Sequence, residues 1–341
     1  MQFPRKTPPA QLPPDGSRPP DSDRLERVAC SVCGSTGAKV LFRARDKMFS
    51  WNQETFPVVR CDRCGLVYIN PRPSSQTRNL LYYGEQYPFA TGRESQPYEH
   101  YRPVIDFLTG DRGTGRVLDV GTGNSSFLPL MKERGWDVHG TEIDSSHREF
   151  FQEEYGIDLY IGELETAGFE PESFDAVTVM GVLEHIPHPK QFMEEANRVL
   201  KPGGLVGLWC FNRGVEASLL GRYWPGFDVP RHFHSFSRKT LTALLNETGF
   251  EVVGYYYRPV SYSLYGLIWA AKTAKNRLFR GQQPTFVSRL PRPLELLNLP
   301  LAKLLAKIES SANIYLFARK TGAASAGRAG HMDSGQETDV R

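Results

Sequence analysis

The sequence predicts an α/β protein: a doubly wound, mostly parallel sheet with a small cysteine-held module on its N-terminal side. Three observations predict it. From about residue 116 onward, short apolar runs alternate with segments of helical periodicity, the pattern of strands joined by crossover helices. A glycine turn, Asp119-Val120-Gly121-Thr122-Gly123, closes the first of those runs. Ahead of it stand two Cys-x-x-Cys pairs. With 341 residues, 40% of them apolar, the chain is long enough for one such sheet plus a smaller unit.

Residues 1–24 contain seven prolines and almost no large apolar side chains, too little to offset the entropy of ordering, and read as a disordered leader. Residues 25–73 form the expected module, closed by Pro71-Arg72-Pro73, read as a linker because neither proline can extend a helix. The main domain is expected over 74–320, with strands at 116–120, 136–142, 158–161, 174–180 and 204–210. Ahead of the last of these, 189–200 is the clearest helix. Phe192, Met193, Ala196, Val199 and Leu200 make one apolar stripe, and Lys201-Pro202-Gly203-Gly204 stops it. A helix over 241–248, ending at Gly249, leads to a strand over 250–257, and 313–319 is the last strand. Two stretches, 212–238 and 258–312, interrupt the alternation as insertions. The tail, 321–341, is rich in Ala, Gly, Ser and charge and reads as disordered.

Cys30-x-x-Cys33 and Cys61-x-x-Cys64 each form a tight turn that presents two thiolates to one metal, with Gly34 and Gly65 right behind to relieve the backbone. Four sulfurs make a closed tetrahedral site with no position left for water. The expected Zn2+ is therefore structural and contributes folding energy to a zinc-ribbon-like module. Four free or redox cysteines are the alternative, since the gap between the pairs, 34–60, is longer than the commonest ribbon spacing. Cys210, at the end of an apolar strand, reads as a small core residue. Metal-type cysteine spacing, a proline-rich N-terminus in place of a signal segment, and no run of ~18 apolar residues point to a cytoplasmic protein.

The glycine turn lies where a strand ends and a helix opens. Glycines there let the backbone approach a ligand, and the helix start offers N–H donors to an anion. Dinucleotide-binding proteins use the same geometry, but the third glycine of their fingerprint would fall at Ser126. Asp119 stands where a carboxylate can receive the ammonium end of an amino-acid-bearing ligand, directly or through water. Glu142 ends the next strand, at the distance where a carboxylate meets ribose hydroxyls. Asp144 is its nearby competitor, and both carboxylates could instead cap the helix starting near Ser145.

Taken in order, five segments resemble the signatures of class I S-adenosylmethionine-dependent methyltransferases. They are Val117-Leu118-Asp119-Val120-Gly121-Thr122-Gly123, Glu142, Ser173-Phe174-Asp175-Ala176-Val177, Val182-Leu183-Glu184-His185-Ile186 and Arg198-Val199-Leu200-Lys201-Pro202-Gly203-Gly204. The match is strong over 116–210 and looser up to Lys320. It implies a Rossmann-like, seven-stranded sheet, with 313–319 as its antiparallel seventh strand, and S-adenosyl-L-methionine as cofactor. It further implies that Gly121 and Gly123 contact the methionine part and Glu142 the ribose, that Leu164 lies near adenine, and that Met180 closes the pocket. Thr122 and Asn124-Ser125 depart from the family's commoner Cys and Gly, which is expected to tune affinity only. The cysteine module resembles the zinc-binding domain joined to methyltransferases of bacterial sugar and natural-product pathways. Tyr82-Tyr83-Gly84-Glu85-Gln86-Tyr87 is similar to that group as well, so Tyr87 either folds over the cofactor or packs as an ordinary aromatic.

Methyl transfer from a sulfonium is an in-line displacement, so the acceptor has to be aligned, and an oxygen or carbon nucleophile can need a base. His185, at the sheet edge where doubly wound folds place ligands, is one candidate, with a structural role in its own turn as the alternative. The stretch from Tyr223 through Trp224, Phe227, Asp228, Arg231, His232, Phe233 and His234 is the other, too polar for core and too aromatic for a passive linker. His232 is the preferred base there, Asp228 its orienting partner and His234 a further catalytic candidate; a proline-stiffened lid is the plain alternative. Met180-Gly181-Val182 stands in place of an Asn/Asp-Pro-Pro-Tyr segment, which argues against methylation of base or glutamine amino nitrogens. The expected reaction is methyl transfer to an oxygen or carbon of a small-molecule acceptor: a sugar, saccharide or secondary metabolite.

The formal charge, +3, gives no global reason to expect nucleic acid as a partner. Locally, 258–312 holds nine Lys or Arg against Glu295 and Glu309. Its apolar start followed by Lys272, Lys275, Arg277 and Arg280 could rest peripherally on anionic membrane through 260–280. Core packing or oligomerisation with a solvated basic face is the alternative. An RNA methyltransferase using the module and this basic stretch, and a cofactor-binding protein without catalysis, are the rival readings.

Overall fold

In a computed structural model, the chain is described over residues 25–46, 54–74, 98–110, 113–264, 267–268, 270–271 and 292–322. The expected leader, the stretch around Tyr87, 272–280 of the basic segment and the tail beyond 322 lie outside the described residues.

Strands β1 (Leu25–Glu26), β2 (Ala38–Ala44), β3 (Phe56–Cys61), β4 (Val67–Ile69) and β5 (Arg72–Pro73) build the N-terminal unit. Helix α1 (Tyr98–Thr109) precedes an alternation of β6 (Arg116–Val120), α2 (Phe127–Glu133), β7 (Asp137–Glu142), α3 (Ser146–Tyr155), β8 (Leu159–Ile161), β9 (Phe174–Met180), α4 (Pro189–Val199) and β10 (Leu200–Phe211). Further elements are α5 (Val215–Leu220), β11 (His234–Ser235), α6 (Arg238–Glu247), β12 (Phe250–Arg258), α7 (Arg292–Lys307) and β13 (Asn313–Lys320).

The main sheet runs β12-β13-β10-β9-β6-β7-β8. Strands β6 to β10 pair in parallel, and β13 pairs antiparallel with both β10 and β12. This is the doubly wound, seven-stranded arrangement expected. Strand β6 shows its cause: Val117 faces a core shared with α1, α2 and α3, while Leu118 and Val120 face one shared with α4 and α6. A strand covered on both faces has to be apolar along its length. Helix α1 lies so close to β10 that a Cβ on Gly207 would come within 2.6 Å of Val104 Cγ1.

Some boundaries differ from the sequence expectation for local reasons. Strand β10 starts at Leu200, opposite Phe174, and Lys201-Pro202-Gly203-Gly204 is an irregularity inside it rather than a stop before it. Helix α6 starts at Arg238 because Ser237 caps it: Ser237 N–H donates to Thr240 Oγ1 (2.9 Å) and Thr240 N–H to Ser237 Oγ (3.4 Å). The expected linker at Pro71-Arg72-Pro73 instead carries buried strand β5, paired with β1.

The expected boundary at residue 73 does not close the N-terminal unit. Strand β11, from the 212–238 insertion, pairs antiparallel with β4, placing His234 opposite Tyr68 in a four-stranded sheet β11-β4-β3-β2. Trp224 and Phe227 of the same insertion share a core with Phe56, Val58, Val67 and Ile69. The insertion thus belongs as much to the N-terminal unit as to the main sheet.

Candidate active site and metal centre

The two Cys-x-x-Cys turns repeat one backbone pattern. Gly34 N–H donates to the Cys30 carbonyl (2.8 Å) and Gly65 N–H to the Cys61 carbonyl (3.1 Å). Both glycines sit at positive φ, +71° and +80°, which costs a glycine nothing. The four Sγ atoms lie within 4.8 Å of one another. Cys30 and Cys64 sulfurs are 3.4 Å apart, and those of Cys33 and Cys61 3.5 Å. These spacings are too long for a disulfide and near the edge, about 3.8 Å, of a tetrahedron with zinc–sulfur bonds of ~2.3 Å. The donor set fits a structural Zn2+ held by Cys30, Cys33, Cys61 and Cys64.

At the carboxyl ends of β6, β7 and β9, where doubly wound sheets take ligands, lies a cavity of about 450 Å³ whose walls include Gly121, Glu142, Leu164, Val182 and His185. The N–H groups of Gly121 and Thr122 both donate to the Thr141 carbonyl, at 2.9 and 3.0 Å, and pin the glycine turn to β7. Glu142 Oε2 accepts from Gly123 N–H at 2.7 Å, and Oε1 from the N–H groups of Ile143 and Asp144 at 2.7 and 3.0 Å. The chain's own backbone thus fixes this carboxylate at the cavity. Gly121 has φ +70° and a Cβ there would meet Val182 Cγ2 at 2.5 Å; Gly123 has φ +54° and open space where its Cβ would point. Open space at Gly123, a fixed carboxylate one strand over and the apolar Leu164 suit the amino acid, ribose and adenine parts of S-adenosylmethionine, and the volume suits a ligand of that size.

Two residues expected in this pocket turn their side chains toward other partners. Asp119 is 1% exposed and turned toward Thr178, whose Oγ1 donates to its Oδ1 at 2.6 Å. Burial pushes its carboxyl up to about 7, against the lowering effect of that bond. Met180 follows the same strand parity as Ala176 and packs into the α1-side core, so Gly181 and Val182 take the cavity wall instead.

On the acceptor side, His185 occupies the short turn Leu183–His185 after β9. Its Nδ1 donates to the Arg231 carbonyl at 3.2 Å, and its ring meets that of His232 edge-on, with centroids 4.5 Å apart. His232 Nδ1 donates in turn to the Gly226 carbonyl at 2.8 Å. A carbonyl can only accept, so each Nδ1 carries a hydrogen, which in a neutral imidazole leaves Nε2 with the lone pair. Burial, with the neighbouring His232 adding to it, pushes the His185 ring down to about 3 and keeps it neutral around pH 7.

Asp228 meets His232 through the main chain, its carbonyl accepting from His232 N–H at 2.8 Å, and its carboxylate does not orient the ring as expected. Its carboxylate takes Arg231, from Nε at 2.7 Å and also from Nη2. The same guanidinium, 0% exposed, donates to Asp46 of the N-terminal unit, Nη1 to Oδ2 at 3.1 Å and Nη2 to Oδ1 at 3.0 Å. His234 is away from the cavity: buried in β11, it meets Ser31 Oγ through Nε2 at 2.5 Å, inside the first cysteine turn. The sequence reading missed Asp46 and Arg72; Arg72 Nη1 donates to the carbonyl of Pro187, on the cavity wall, at 2.6 Å. An arginine enclosed by prolines was the one available signal for the latter.

A family model described as a methyltransferase domain matches residues 93–255. The chain is similar to a ubiquinone biosynthesis O-methyltransferase of Paraburkholderia phymatum, 33% identical over 161 residues, which cover 42% of this chain and 68% of the relative. A protein of the same description from Pseudomonas aeruginosa (strain UCBPP-PA14) is 30% identical over 188 residues, 49% of this chain and 81% of the relative. Among solved structures, an S-adenosylmethionine-dependent methyltransferase from Mesorhizobium loti is 15% identical, covering 65% of this chain and 98% of that one with a TM-score of 0.44. Sheet order, a glycine turn joined to Glu142 across one cavity, the family match and the sequence relatives agree: the chain belongs to the class I S-adenosylmethionine-dependent methyltransferases.

Proposed function

We propose that the chain transfers the methyl group of S-adenosylmethionine to an oxygen of a small acceptor, with the His185–His232 pair taking the acceptor's proton. The observation that supports this reading is the pair itself. Each ring is tied by a carbonyl in the tautomer that leaves Nε2 as acceptor, and His185 lies on the wall of the cavity that holds Gly121 and Glu142. The O-methyltransferase relatives support oxygen over carbon as the nucleophile.

When bound, the cofactor supplies an electrophilic methyl on a sulfonium. Gly121, Gly123 and Glu142 orient it, and Leu164 covers the base. His185 Nε2 would accept the acceptor's hydroxyl proton and align the oxygen for in-line attack, the oxygen–methyl bond forming as the sulfur–methyl bond breaks and S-adenosylhomocysteine leaves. A phenol or enol of a secondary metabolite gives up its proton more easily than an aliphatic sugar hydroxyl and asks less of a histidine base.

The test is S-adenosylhomocysteine formation by zinc-loaded protein against a panel of phenols, enols and nucleotide sugars. His185→Asn keeps an N–H for the Arg231 carbonyl but has no Nε2. Turnover of the selected acceptor is expected to fall by about 10²–10⁴-fold, with calorimetric affinity for S-adenosylhomocysteine preserved. Full turnover by this variant removes His185 from the chemistry.

A further inference from the structure

We infer that the N-terminal unit sets the geometry of the histidine pair, with Arg231, clamped between Asp46 and Asp228, as the positioning residue. The inference rests on the reading of His185 and His232 as the acceptor-side pair. A guanidinium with no solvent exposure is tolerated only when its donors are matched, and here Nε, Nη1 and Nη2 all find carboxylate oxygens. Burial opposes its charge, but Asp228 and Asp46 hold it protonated. The planar fork fixes the backbone of residue 231, and that backbone does two things. Its carbonyl takes His185 Nδ1, and the next residue is His232. Any displacement of Arg231 therefore moves both rings.

Relaxation of this segment is blocked on its far side. Ile69 N–H donates to the Phe233 carbonyl at 3.0 Å, and β11 follows at once, paired with β4. The opposite flank of His185 is tied to the same unit. Buried Arg72 pairs with Glu26 at 2.7 Å, reaches the Pro187 carbonyl and lies over the Phe233 ring, 5.3 Å from its centroid. Gly121 and Glu142, by contrast, are held by main-chain bonds of the main sheet and its loops, from Gly121, Gly123, Ile143, Asp144 and Gly162. The polar side chains that the N-terminal unit sends into this region, Asp46 and Arg72, bond the acceptor wall.

Asp46→Asn is the test, since Asp46 lies outside the chemistry and asparagine keeps its shape without its charge. Full-length, zinc-loaded protein with nitrogen-15-labelled histidine reports the tautomer and titration of His185, whose charged neighbours are His232, Asp228 and Arg231. In the parent protein both rings are expected as Nδ1–H tautomers, with His185 silent through neutral pH. In the variant, His185 is expected to mix tautomers and to titrate nearer its ordinary range, while affinity for S-adenosylhomocysteine changes by less than about threefold, as for independent sites. An unchanged His185 in folded variant overturns the inference, as does a lost cofactor affinity with the tautomer intact. Should Asp46→Asn not fold, Asp46→Glu keeps the charge on a longer stem; the same shift of His185 is expected there, and its absence overturns the inference equally. These spectra need no acceptor. Their failure leaves the base role standing, whereas full turnover by His185→Asn removes that role and leaves the clamp intact.

Discussion

Gly121, Glu142 and His185 face one cavity, with His232 packed behind His185, yet the glycine turn and the histidine pair are held by different means. The first is built from backbone bonds between neighbouring strands, with the register of β6 against β7 setting every distance. The second hangs on side chains that reach across the molecule: Asp46 to Arg231, Ser31 to His234, Arg72 to Pro187. The geometry of the glycine turn and Glu142 is therefore set mainly within the main sheet, while acceptor geometry depends on contacts from the N-terminal unit. The physical lesson is that binding and chemistry in this chain have separate stability requirements.

The largest expected effect comes from the metal. Structural zinc contributes on the order of 10 kcal/mol to small modules, and the four-stranded sheet leaves Val40 and Leu41 exposed at 56% and 45%, so its own core is thin. Chelation, or Cys61→Ser, is expected to unfold the N-terminal unit and abolish methyl transfer while S-adenosylhomocysteine still gives calorimetric heat. Loss of that heat together with the metal would break the contrast. Cys30, Cys61, Leu66 and Tyr68 share a core with α4 and α6, and the two regions would then unfold as one.

The next effect sharpens it. Arg231→Met leaves buried Asp46 and partly buried Asp228 facing an apolar side chain, and breaking a buried ion cluster in this way costs about 3–5 kcal/mol. Urea unfolding is expected to report a loss of that size. Adding Asp46→Asn and Asp228→Asn to Arg231→Met is expected to recover much of it, because the penalty lies in the unpaired charges. A loss below about 1 kcal/mol for the single variant would mean that water reaches the cluster and that Arg231 clamps nothing.

In the cofactor half, Asp119 gives a pH signature. Burial raises its folded-state value from 3.8 to about 7, so the folded chain holds that proton more tightly than the unfolded one. Stability from this group is complete below about pH 4 and is lost as pH rises through 7, at up to about 1.4 kcal/mol per pH unit between. Asp119→Asn keeps an acceptor for Thr178 and removes the titration. Its Tm is expected to exceed the parent's at pH 8 and to match it at pH 4. Equal Tm differences at both pH values would show that Asp119 ionises freely. Unchanged S-adenosylhomocysteine affinity in the variant would separate Asp119 from the ligand's ammonium group.

The cofactor half was legible in the sequence because each of its requirements is local. A strand buried on both faces has to be apolar, a turn at positive φ has to carry glycine, and Glu142 has to end the neighbouring strand. The cysteines were legible by spacing alone. The errors have equally physical causes. Asp119 was placed by its position two residues before Gly121 and Met180 by the resemblance, whereas a threonine partner and strand parity decide where they point. Arg72 was hidden because a proline pair reads as a linker, although β5 pairs only with the short β1. The histidines were visible as residue types. Their partners were not, since Asp46 and Arg231 are brought together only when β4 accepts β11.

Gly121→Ala is expected to have the smallest effect and to act on the cofactor half only. A left-handed alanine costs roughly 1–2 kcal/mol, and its Cβ would overlap Val182 Cγ2 at 2.5 Å unless the turn shifts. A shift loosens the bonds from Gly121 and Thr122 to the Thr141 carbonyl, and affinity for S-adenosylhomocysteine is expected to drop about tenfold, near 1.4 kcal/mol. Combining it with Val182→Ala removes the overlap but not the backbone cost, so the double variant is expected to recover part of the affinity. Full recovery would mean that φ at this position is not constrained by the ligand. Throughout the series the Arg231 clamp is untouched, and the His185 tautomer is expected to stay as in the parent; a change there would show that the turn and the histidine pair are coupled through Val182, three residues from His185.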